Sequence, residues 1–114
     1  MNPSKFHTIV DVPAFNRKTG YSLKNIFMGS CFTENVGNRM AALKYDVDIN
    51  PFGILYNPVS VVNGLRILLH KKEFTTADLI EADGLWHSFY HHGRFSFHNE
   101  KETIEAINSR IKSS

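Results

Sequence analysis

NIFMGSCFTENVG, residues 25–37, is the stretch on which the fold turns. Asn25 to Met28 is a short apolar run stopped by Gly29, which predicts a buried strand. Ser30 to Thr33 then leads into a helix ending near Lys44, because Val36, Met40 and Leu43 recur at i, i+4 and i+7 on one face. Ser30 or Thr33 is the expected N-cap, and Glu34 suits the positive end of the helix dipole. Tyr45 to Ile49 alternates apolar and acidic residues and predicts a second strand. Asn50-Pro51-Phe52-Gly53 reads as a turn, since Pro51 lacks a donor and Gly53 accepts positive φ. Asn57 followed by Pro58 starts a second helix. Its expected face is Val61, Val62, Leu65, Leu68 and Leu69, and it should end between His70 and Lys72.

Strand, helix, strand, helix in that order predicts an α/β chain built on a short parallel βαβ unit with a right-handed crossover. The loops Gly29–Thr33 and Asn50–Gly53 must then share one edge of the sheet. Open α/β sheets bind their ligands at that edge.

Outside this unit the signals are weaker. Phe6 to Val12 has partial alternation and β-branched content and predicts an edge strand. Ala14 to Ser22 is turn-like. Thr76 to Glu81 suggests one short helical turn, and Trp86 to Phe97 reads as irregular or strand-like. Asn99 with Glu102 forms a capping pair before a last helix carrying Ile104, Ile107 and Ile111.

The 114 residues suffice for one domain, with 42% hydrophobic and 21% charged residues, as expected of a globular protein. Net charge is +2, with both signs interspersed, so no basic footprint for nucleic acid is present. One cysteine, Cys31, excludes an internal disulfide. Met1 to Val12 has no apolar core of a signal peptide, and no apolar run approaches a membrane span. The expectation is a soluble cytoplasmic protein without membrane partners.

Ser30 leaves a strand and enters a helix behind Gly29. Such a turn exposes a hydroxyl where the first helical N–H groups converge, an arrangement that stabilises an oxyanion. Gly53, on the neighbouring loop, can offer a further backbone N–H. The plainer reading of Ser30 is a cap. Cys31 is the alternative nucleophile, since helix N-termini activate thiols, and its plainer reading is a small buried apolar residue. His87, His91, His92 and His98 crowd one segment. His87, His91 or His92 is a possible base for Ser30. His87 and His91 have the i, i+4 spacing of a zinc pair on a helix, but the segment does not read as a helix, so no metal and no cofactor is expected.

Residues 25–37, the block NPFGILYNPVS at residues 50–60 and the segment GLWHSFYHHGRFS at residues 84–96 together resemble the GSCFA family, named for its Gly-Ser-Cys-Phe-Ala motif. Thr33 stands where that motif has Ala. The match covers most of this chain but only the first part of a typical GSCFA domain. The family resembles the SGNH, or GDSL-like, hydrolases. That resemblance implies a partial three-layer α/β/α fold of SGNH or flavodoxin-like type, and an incomplete domain. It implies Ser30 as nucleophile and Gly53 as an oxyanion donor. It also calls for an asparagine from a third block and an Asp-x-x-His pair, and neither is found.

Two functions follow. One is an ester or acyl hydrolase domain fragment acting on a small ester or acylated substrate. The other is a non-catalytic remnant, which would be a split-chain partner or a ligand-binding module using Trp86 and Tyr90. A chain with an open strand edge is expected to form a homo-oligomer or to pair with a missing C-terminal half.

Overall fold

The computed structural model describes residues 6–114. Strands β1 (Lys24–Phe27) and β2 (Asp46–Ile49) pair in parallel, from Lys24 opposite Asp46 to Phe27 opposite Ile49. Helix α1 (Cys31–Ala42) connects them, so the βαβ unit is present. β1 is not the buried strand expected, because Lys24 and Ile26 are exposed and Asn25 and Phe27 half-buried. The sheet has only these two strands, and among the described residues none pairs with the outer edge of β1.

α1 meets the sheet at Gly37, where a Cβ would lie 2.8 Å from Ile49 Cγ1. Val36 and Met40 are half-buried, but Leu43 is exposed, past the end of the helix. Lys44 takes a left-handed conformation there, φ 70, and Tyr45 N–H donates back to Met40 O at 3.2 Å. These bonds satisfy end carbonyls without the usual glycine.

Helix α2 (Pro58–His70) is capped by Asn57, whose Oδ1 accepts from Ser60 N–H at 2.8 Å. Its buried face is Gly64, Ile67 and Leu68, with Val61 half-buried. Val62, Leu65 and Leu69, expected inside, are 44%, 41% and 81% exposed. The rotation centres on Gly64, where a Cβ would come within 2.5 Å of Met28 Cε and 3.1 Å of Phe52 Cδ2. A contact made by a residue without a side chain leaves no hydropathy signal.

A 3-10 turn, Thr76–Asp78, precedes a hairpin of β3 (Ile80–Ala82) and β4 (Leu85–His87). The single helical turn expected over Thr76–Glu81 therefore gives way to a strand in its second half. Trp86 bridges to Phe97, and a second 3-10 turn covers Gly93–Phe95. Helix α3 (Glu100–Ser113) begins at Asn99, whose Oδ1 accepts from Lys101 and Glu102 N–H groups at 2.9 and 3.2 Å. The edge strand expected at Phe6–Val12 does not form. Phe6, Ile9, Val10 and Val12 are all at least 71% exposed, and partial alternation without a neighbouring strand is not enough.

Phe52, Ile67, Leu68, Phe74, Leu79, Ile107 and Ile111 make the buried core, with Ile104 packed against it. The isoleucine stripe of α3 is thus as expected. Asn108 holds the segment after α2 by accepting from Phe74 N–H at 2.8 Å and donating to Phe74 O at 2.9 Å. Arg110 ties α3 to β2 by bonding the Asp48 carboxylate and Ile49 O. Burial pushes the Asp48 pKa upward, but the Arg110 hydrogen bond and charge, with help from Ser114, hold it below the usual carboxylate value. Among the described residues no helix is long and apolar enough to cross a membrane.

Candidate functional site

Ser30 sits between β1 and α1 with extended backbone, φ −79 and ψ −174, and its Oγ accepts from Phe32 N–H at 3.3 Å. It is the N-cap of α1, and it is half-buried. Gly29 is required before it because Thr33 occupies the space of a side chain: a Cβ at Gly29 would lie 2.6 Å from Thr33 Oγ1. The hydroxyl that distinguishes Thr33 from the motif alanine therefore packs directly on the serine turn.

The loop after β2 lies against this turn, as the parallel pairing requires. Asn50 N–H donates to Phe27 O at 2.7 Å. Gly29 N–H donates to Asn50 Oδ1 at 2.9 Å, and Leu55 N–H donates to Gly29 O at 2.9 Å. Both backbone groups of Gly29 are thus held by one loop. Gly53 takes φ 82, and its N–H closes the turn onto Asn50 O at 2.8 Å. That donor is engaged within its own turn. A Cβ on Gly53 would lie 2.3 Å from His92 Cβ, so no other residue fits.

The third segment completes the edge. His92 N–H donates to Phe52 O at 2.8 Å. The Arg94 guanidinium donates to Asn50 O at 3.0 Å and to Glu34 Oε1, in the first turn of α1, at 3.3 Å. Two stretches far apart in sequence converge on the Gly29–Ser30 turn.

The GSCFA family model matches residues 24–114. This chain belongs to the GSCFA family. Comparisons with curated proteins and with solved structures found no match. The family match starts at β1 and runs through α3, so the whole convergence lies inside it.

The histidines of this GSCFA chain have separate surroundings. His87 fastens the β3–β4 hairpin: Nδ1 pairs with Ser96 Oγ at 2.8 Å, and Nε2 donates to Ala82 O at 3.3 Å. His91 is set among Phe52, Phe74 and Phe95, with ring centroids 4.8, 5.2 and 5.1 Å away. Its Nδ1 pairs with Ser88 Oγ at 2.8 Å, and its Nε2 is buried without a partner. Burial pushes its pKa down to about 4. His92 is exposed and covers Gly53, but its Nδ1 accepts from Arg94 N–H at 3.2 Å. A neutral ring bonded in this way carries its proton on Nε2.

Of the three base candidates, His91 packs on the Phe52 ring of the site loop and His92 covers Gly53, and the bond of Ser30 Oγ is to Phe32. Cys31 is an exposed thiol at the first residue of α1, where burial had been the plainer expectation. Trp86 packs against the core, which favours a structural use of that ring. No cluster of three or more His, Cys, Asp or Glu able to hold a metal ion is found among the described residues. Asn50 and Arg94 escaped the sequence reading. Asn50 had been read only as a turn residue, and Arg94 lay in a segment with no assigned role.

Proposed function

We propose that this GSCFA chain carries the nucleophile portion of an SGNH-like ester or acyl hydrolase domain, with Ser30 as nucleophile. The position of Ser30 supports this most: it caps α1 directly after β1, at the sheet edge shared with the Asn50 loop. Helix N–H groups and the helix dipole favour negative charge there. In the reaction, Ser30 Oγ adds to the carbonyl carbon of a small ester as a base removes its proton. The charged carbonyl oxygen then collapses and expels the alcohol, which takes a proton. Water attacks the acyl-serine, releases the acid and restores the hydroxyl. Ser30 N–H serves as one oxyanion donor. Gly53 joins it only by releasing Asn50 O.

On this reading none of His87, His91 and His92 is the general base as the chain stands. His87 and His91 are engaged elsewhere, and the acceptor nitrogen of His92 is taken. The fold is then one part of a three-layer domain. The open edge of β1 and the exposed Val62, Leu65 and Leu69 of α2 are surfaces that further strands, or a second copy, would cover. A non-catalytic remnant is the second reading, favoured by the closed Gly53 turn.

The test is a thiol placed at the nucleophile position. In a Ser30→Cys, Cys31→Ser double variant, the pH dependence of iodoacetamide alkylation should give a thiol pKa at least about one unit below the ordinary value of about 8.5. An unshifted thiol would remove the anion-stabilising role of the turn and favour the remnant.

A further inference from the structure

Asn50 holds a costly conformation for a purpose visible in its bonds. Its φ is 44, in the left-handed region, and it is 1% exposed. Asn tolerates that region better than most residues, but contacts must still hold it there. They come from three directions. The N–H donates to Phe27 O, the carbonyl accepts from both Gly53 N–H and Arg94, and Oδ1 accepts from Gly29 N–H. Arg94 is the one side chain in this set. It also reaches Glu34 on α1, so a single guanidinium spans the Asn50 loop and the helix that Ser30 caps.

We infer that Arg94 is a positioning residue for Ser30, acting through Asn50. The Arg94 bond fixes the Asn50 carbonyl, and the carbonyl fixes the left-handed backbone. That backbone aims Oδ1 at Gly29 N–H, one residue before Ser30. The Arg94–Glu34 pair holds the first turn of α1 against the same loop. The third segment is therefore a latch, and its histidines are not needed for that role. The catalytic consequence rests on the reading of Ser30 as nucleophile. The latch itself does not.

Amide hydrogen exchange by NMR on the 114-residue chain tests it without any turnover. Losing a hydrogen bond to a charged group should speed exchange on the order of tenfold. Arg94→Ala is expected to do this at Gly29 and Gly53, while the amides of Leu68 and Ile107 in the core keep their protection. Arg94→Lys should restore part of the difference. Unchanged exchange at Gly29, or an equal rise in the core amides, would overturn the inference. Glu34→Gln, at the surface, serves if Arg94→Ala does not fold. It should speed Gly29 exchange about threefold, and no change there would count against the latch. An unshifted thiol at position 30 together with a working latch would sink the hydrolase reading alone.

Discussion

Around His91, three phenyl rings leave Nε2 buried and without a hydrogen-bond partner. The folded pKa of about 4 lies below the ordinary 6.5, so between those values the unfolded chain binds the extra proton. Stability is therefore complete above about pH 6.5 and is lost as pH falls toward 4, by on the order of 3 kcal/mol. Asp48, whose pKa is also depressed, adds its own loss below that window, as pH falls under its ordinary value of 3.8. Replacing His91 by Phe keeps a ring in the cluster and removes the titration, while Ser88 forfeits a bond worth about 1 kcal/mol. The variant should melt slightly lower at pH 7 yet lose much less between pH 6.5 and 4.5. Parallel melting curves for the two proteins would refute this. At this scale, capping chemistry made Ser30 legible, because it depends on neighbours in sequence. Asn50 and Arg94 were not legible, because their partners lie 21, 44 and 60 residues away.

The three helices show where periodicity succeeds and fails. α3 shows its core stripe at Ile107 and Ile111, because the contacts are made by large side chains. In α2 the contact is centred on Gly64, and in α1 on Gly37, so hydropathy points beside the true face. Gly37 allows α1 to approach Ile49 of β2. Gly37→Val should cost at least about 2 kcal/mol in urea unfolding, since overpacking outweighs any gain in helix propensity. A variant as stable as the parent would mean that α1 does not bear on β2 at Gly37.

Across the whole molecule, the βαβ order and the shared loop edge were legible from chain order alone, since parallel pairing admits only that arrangement. The extent of the sheet was not, because strand count depends on partners, and β3 is only three residues long. The arm at Phe6–Val12 failed for the same reason. What remains is a GSCFA serine turn latched by two other segments and beside it an open strand edge. Intact-mass measurement after exposure to a fluorophosphonate probe, with Ser30→Ala as control, bears on this directly. On the proposed reading a folded sample should stay unlabelled, because none of the three candidate histidines serves Ser30 as a base. An adduct present in the parent and absent in Ser30→Ala would contradict that and make His92 the first base to examine.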